Sequence, residues 1–78
     1  MMIVIYNSEN YCVVEYPDEH AYEVMDKQGS RGMFLQGEVA AGFWNSMRNA
    51  VTESATVEHI DEFLGSFDEL LNLPIVLH

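Results

Sequence analysis

Apolar and polar positions change their period midway along the chain. In the first half, apolar residues come in short runs separated by turn-forming residues. Residues 2–6 (MIVIY) are a brief apolar run, and residues 7–10 (NSEN) a polar turn cluster. Residues 11–16 (YCVVEY) are rich in β-branched and aromatic side chains, as strands are. Pro17, Asp18 and Glu19 break that run. Residues 22–26 alternate, which puts Tyr22 and Val24 on one face and Glu23 on the other. Residues 27–32 carry two glycines and read as a hairpin loop, after which residues 33–36 return as a fourth strand. The simplest arrangement is an antiparallel meander with one face packed and one partly wet.

The second half has a helical period. Val39, Phe43, Met47 and Val51 recur at every fourth position, with Ala40 and Trp44 beside them. Glu38, Asn45, Arg48, Asn49 and Glu53 fill the opposite side. Thr56 suits the N-cap of a second helix, and Glu58 in its first turn suits the helix dipole. Val57, Ile60, Phe63, Leu64, Phe67, Leu70 and Leu71 make a broad apolar face, and Pro74 ends the helix. Glu58, Asp61, Glu62, Asp68 and Glu69 lie largely away from that face. The short link makes the two helices antiparallel neighbours. The predicted fold is therefore α+β in the order ββββαα: a four-stranded antiparallel β-meander packed on one face by an antiparallel helical hairpin.

Two details sharpen this picture. Gly42 and Gly65 fall nearly level in such a hairpin, and an interior glycine costs a helix about 1 kcal/mol against alanine. A close crossing of the helix axes at these glycines would explain them; the plainer alternatives are that one glycine is merely tolerated, or faces the sheet or a second subunit. The tail Ile75, Val76 and Leu77 is apolar, and its expected place is as a fifth strand on its own sheet rather than on a second chain.

Composition narrows the function classes. A chain of 78 residues, 49% of them apolar, supports one core, so residues 1–78 read as a single domain. So small a domain is marginal unless something supplements its core. Cys12 is the sole cysteine, which rules out an internal disulfide and points to a reducing compartment. Self-association is then the expected supplement. The net charge is −10, with only Lys27, Arg31 and Arg48 positive. Such a surface repels phosphate, which disfavours nucleic acid and anionic membranes alike and leaves a second copy, a basic protein or a small molecule as partner. The apolar start of the chain has no basic stretch before it, and no run is long enough to span a bilayer, so the expected address is cytoplasmic.

No catalytic constellation emerges. Cys12 has apolar neighbours and is expected to be a buried, inert thiol. Glu58, Asp61 and Glu62 form carboxylate pairs on a solvent face rather than in a cleft. His59 and Glu62 share a helix face, but two ligands do not make a metal site, and His20 and His78 have no partner spacing. No catalytic residue, metal or cofactor is therefore assigned. The loop at residues 27–32 holds two of the three cations and reads as a solvated turn paired with Asp26 rather than an anion site. From residue 53 to residue 69 no lysine or arginine occurs, a pattern that can imitate a phosphate row before a basic protein. The leading expectation is a non-enzymatic acidic interaction module, homodimeric, using Glu58, Asp61, Glu62, Asp68 and Glu69. Trp44 is a further candidate, because a large aromatic left exposed on a helix marks a contact patch, although a core tryptophan is the commoner outcome. The rival is a small ligand-binding protein or enzyme with Tyr6, Tyr11, Tyr16 and Tyr22 around a pocket between sheet and helices.

Three stretches have a further likeness: IYNSENYCVVEY at residues 5–16, YEVMDKQGSRGMFL at residues 22–35 and VEHIDEFLGSFDELLNLPIVLH at residues 57–78. Together they resemble a family of short bacterial proteins known as domain of unknown function 3567. The likeness covers most of the chain and includes the IYNS opening and the closing PIVLH. It implies a bacterial cytosolic protein and brings no activity, cofactor or site residue. The resemblance departs at residues 17–21, a short stretch where members often carry a longer segment between the second and third strands, so it implies no role for that loop here.

Overall fold

A computed structural model describes the backbone of residues 1–71 and the side chains of residues 1–67. Its elements are β1 (Ile3–Asn7), β2 (Tyr11–Tyr16), a 3-10 turn (Pro17–Glu19), β3 (Ala21–Asp26), β4 (Arg31–Leu35), α1 (Gly37–Glu53) and α2 (Val57–Leu71). The strands lie in the order β1-β2-β3-β4, each antiparallel to the next. This is the α+β fold, ββββαα, that the pattern predicts. The proposed fifth strand, at residues 75–77, lies outside the described residues.

Register decides which side chains meet the helices. Val13 pairs with Val24 and Val24 with Met33, while Tyr22 pairs with Leu35. These residues point inward. Val13, Tyr22, Val24 and Leu35 form one core with Ala40, Phe43 and Met47 of α1 and Ile60 and Leu64 of α2. A bulge between Val4 and Tyr6 inserts Ile5, and both Ile5 and Tyr6 pack against this core.

The β3–β4 hairpin is tied by Asp26, whose Oδ1 accepts the backbone N–H groups of Gln28 and Gly29 at 3.0 Å each. Between β4 and α1 stands Gln36 alone. The corner there needs a left-handed residue, and Gly37, with φ 63°, supplies it. At the start of α2, Thr56 Oγ1 accepts the backbone N–H of His59 at 3.2 Å, the N-cap expected of it.

Two helix expectations need correction. The buried stripe of α1 is Ala40, Phe43, Met47 and Ala50, while Val39 and Val51 are exposed. A strict four-residue repeat drifts about 40° per step around a helix of 3.6 residues per turn, so its ends leave the core. The steps of three, four and three from Ala40 to Ala50 stay on one line. The glycine crossing is also absent. A Cβ on Gly42 meets nothing within 4 Å among the described residues, and one on Gly65 faces the Tyr11 hydroxyl at 3.4 Å. Gly65 thus faces the sheet, and Gly42 faces open space. Gly42→Ala should therefore stabilise the fold by about 0.5–1 kcal/mol, read as a higher urea midpoint. A lowered midpoint would reveal crowding at that position.

Cys12 departs from expectation as well. Val13 takes the inward position, so alternation turns Cys12 to the opposite face, where it is half-buried. That face carries Val4, Val14, Glu23 and Phe34 in one cross-strand row. Val4 is 54% and Phe34 52% exposed. Among the described residues, no element covers these two, although Val14, between them in the row, is only 1% exposed.

Candidate functional site

The acidic side chains assigned to α2 divide into two kinds. Glu58 and Glu62 are exposed. Asp61 is half-buried and held by the β1–β2 turn. Its Oδ1 accepts the Tyr6 hydroxyl at 2.7 Å and Ser8 Oγ at 2.8 Å, and its Oδ2 accepts Asn10 Nδ2 at 3.0 Å. Burial alone would raise the Asp61 carboxyl, but the hydrogen bonds from Tyr6, Asn10 and Ser8 outweigh it and hold the group below the ordinary aspartate value. Asp61 is thus a clasp between helix and sheet. The side chains of Asp68 and Glu69 lie outside the described residues.

Between the helices runs a cleft of about 350 Å³ lined by Asn49, Ala50 and Glu53 of α1 and by His59, Glu62, Phe63 and Ser66 of α2, with an apolar floor and polar rims. Each helix presents these groups at helical spacing, so the two polar stripes face each other. His59 Nε2 lies 3.3 Å from Glu53 Oε2. The contact is an ion pair when the imidazole is protonated, but its atoms are out of line for a hydrogen bond. His59 is therefore brought to Glu53 across the link as well as lying near Glu62. No group of three or more His, Cys, Asp or Glu side chains is placed to hold a metal ion among the described residues.

Trp44 lies on the surface and not in the core. It is 37% exposed and stacks on Tyr22, ring centroids 5.6 Å apart and planes 9° apart. One flank of the indole borders an apolar groove with Ile5, Met47, Val51 and Arg48. The other borders a cleft with Glu15, Pro17, His20, Gly37 and Ala41. Glu15 accepts the Tyr22 hydroxyl at 3.4 Å, and burial together with the nearby carboxylate raises the Tyr22 phenol above its ordinary value. Glu15 was not legible as a site residue, since a lone acid in a strand has no spacing signal.

The four tyrosines do not converge on one pocket, and the Tyr11 hydroxyl stands against α2 at Gly65. The Tyr6 hydroxyl goes to Asp61, that of Tyr22 to Glu15, and that of Tyr16 to Glu23 Oε1 at 2.8 Å on the opposite face of the sheet. The cations of the β3–β4 turn are engaged too. Lys27 Nζ donates to Ser8 O at 2.6 Å and to Asn7 Oδ1, and Arg31 pairs with Asp26 at 3.5 Å. The backbone N–H of Gly29 first, and Arg31 among lesser causes, hold the Asp26 carboxyl below its ordinary value. The turn is a structural tie rather than an open anion site. Among the described residues, no helix is long and apolar enough to cross a membrane.

Known proteins add a lineage without an activity. Protein BTH_I0359 of Burkholderia thailandensis is 44% identical over 85 residues, a match that covers 99% of this chain and 100% of that protein. No solved structure matches the chain significantly. A family model matches residues 2–78, and with it the chain belongs to the family described as "Protein of unknown function (DUF3567)".

Proposed function

We propose that this protein is a non-enzymatic, homodimeric interaction module of the cytoplasm, joined through its open sheet face and presenting its acidic helices to a basic protein. The observation that supports this reading is the contrast between that face and the rest of the surface. The chain carries a net charge of −10. Alternation from the paired positions puts Val4, Asn7, Cys12, Val14, Tyr16, Ala21, Glu23, Met25, Gly32 and Phe34 on the face, where Val14 is already 1% exposed and Val4 and Phe34 are the large apolar side chains left open. Glu23 is the one charge among them, and Tyr16 already donates to it. Tyr16 also reaches across β3 to meet the Phe34 ring at 5.6 Å, and Ala21, its cross-strand pair, is fully buried.

A face so poor in carboxylates offers little to a basic partner. Two copies can meet there with little like-charge contact, while their charged helices stay on the far sides. Four strands at about 4.8 Å spacing and about 18 Å long give a footprint near 350 Å². That is small beside the roughly 800 Å² per partner of a standard interface. The expected dimer is accordingly weak, of roughly micromolar dissociation constant.

Sedimentation equilibrium over a concentration series tests this. The natural chain should shift from monomer to dimer, and labelling of Cys12 by a thiol reagent should slow in step. Phe34→Lys should weaken the association at least about tenfold while leaving the circular dichroism spectrum unchanged. A natural chain that stays monomeric throughout the series would overturn the dimer.

A further inference from the structure

The cleft beside Trp44 has the composition of a receptor for an organic cation. It holds about 410 Å³ and is lined by Glu15, His20, Tyr22, Gly37, Ala41 and Trp44. We propose that this cleft takes the guanidinium of an arginine side chain from a basic partner protein, stacked on Trp44 and paired with Glu15. The inference deepens the reading of a basic partner and rests on it for the ligand's source, but not on dimerisation.

Aromatic surface comes first. Tyr22 and Trp44 are parallel with ring centroids 5.6 Å apart, an offset of about 4 Å for rings in contact, so Tyr22 fixes the indole plane while covering only part of its face on this side. The quadrupole of such a ring attracts a cation laid over its face. The floor is made of small residues, Gly37, Ala40 and Ala41, so space beside the indole is left open. Charge comes second. Glu15 lines the cleft, and its Tyr22 contact, at 3.4 Å, leaves acceptor capacity on the carboxylate. None of the three basic side chains lines it: Arg48 borders the other flank of Trp44, and Lys27 and Arg31 are bound at the β3–β4 turn. The two flanks of the indole thus differ in sign.

The start of α1 opposes this. Gly37 brings the positive end of the helix to the rim. Glu38 in the first turn offsets that partial charge, and a full carboxylate at Glu15 exceeds what remains. Guanidinium fits better than ammonium, because its plane stacks on an indole while its fork meets a carboxylate. The cleft is open to solvent, which suits the tip of a side chain carried by a larger partner and does not suit enclosure of a whole small molecule.

Trp44 is the sole tryptophan, so its fluorescence reports on the site directly. The natural chain is titrated with a short blocked peptide, Gly-Arg-Gly, with the same peptide carrying citrulline, and with agmatine. The arginine peptide should change the emission saturably. The citrulline peptide, equal in shape but uncharged, should bind at least about tenfold more weakly, while agmatine, which carries the same guanidinium, should bind no more than about tenfold tighter than the arginine peptide. Glu15→Gln should weaken the arginine peptide at least about tenfold with the spectrum of the free protein unchanged. Equal responses to arginine and citrulline, or full affinity in Glu15→Gln, would overturn the site. Agmatine binding more than about tenfold tighter than the peptide would overturn the protein source of the ligand. Phe34→Lys should bind the peptide normally, which separates this site from the dimer; loss of peptide binding in that variant would overturn the independence claimed for the two.

Discussion

Phe43→Ala should destabilise the protein by about 3–5 kcal/mol. At about 0.05–0.15 kcal/mol per residue, a chain of this length has about 4–12 kcal/mol in all, so the variant should be partly or wholly unfolded at room temperature. Phe43 is fully buried and joins three elements. Its ring meets Tyr22 of β3 at 5.7 Å and Phe63 and Phe67 of α2 at 6.0 Å and 5.0 Å. Truncation removes the transfer energy of the ring, leaves a cavity and breaks these aromatic pairs, each about 0.5–1.5 kcal/mol beyond its area. Urea denaturation followed by circular dichroism measures the loss. Phe43→Leu should cost about half as much or less, since it keeps most of the volume. Val39→Ala, four residues earlier and exposed, should change stability by no more than about 0.5 kcal/mol. If the Val39 and Phe43 variants cost the same, the core would follow the four-residue repeat of the sequence and not the stripe that starts at Ala40.

That comparison bears on how much the sequence discloses. Strand existence was legible because apolar runs and turn residues alternate cleanly, and even the Thr56 cap could be placed. The rotation of α1 was not. Val39 and Val51 are more hydrophobic than Ala40 and Ala50, so a reading by hydrophobicity favours them. The core instead admits a small side chain at Ala40 beside the strand residues, and Ala50 turns to the cleft facing α2. Gly65 misled for a related reason: a glycine in a helix signals close approach without naming what approaches, and here it is the Tyr11 hydroxyl. Candidate site residues were harder still. Asp61 reads as one more carboxylate on a solvated face because its partners stand more than fifty positions earlier. A signal was present in the alternation of donors at Tyr6, Ser8 and Asn10, but it needs the topology to become a site. Trp44 could be read as core or as surface aromatic, and its place at the surface, 37% exposed, depends on the rotation of α1 that the pattern did not disclose.

The Asp61 clasp yields the second large effect. Asp61→Ala should cost about 2–3 kcal/mol. Hydrogen bonds to a charged group are each worth about 1.5–3 kcal/mol when buried. Three of them would exceed this figure, and the discount reflects water's access to a half-buried carboxylate. Asp61→Asn should cost less, since an amide oxygen still accepts from Tyr6 and Ser8 while its NH₂ group faces the Asn10 amide. The pH dependence follows from the sign of the shift. The folded Asp61 carboxyl titrates below its ordinary value of 3.8, so its contribution is complete above that value and is lost as pH falls through the folded one. At the alkaline end, burial first and the Asp61 bond second raise the Tyr6 phenol above 10.0. Its contribution is complete below that value and is lost as pH rises through the folded one. Urea midpoints across the pH range should therefore fall at both extremes. Asp61→Asn should flatten the acid limb except for the part due to Asp26, whose carboxyl is lowered too. Tyr6→Phe should soften the alkaline limb, leaving the share of Tyr16 and Tyr22, whose phenols are also raised. An acid limb as steep in Asp61→Asn as in the natural chain would mean that the clasp does not carry the acid sensitivity of the fold.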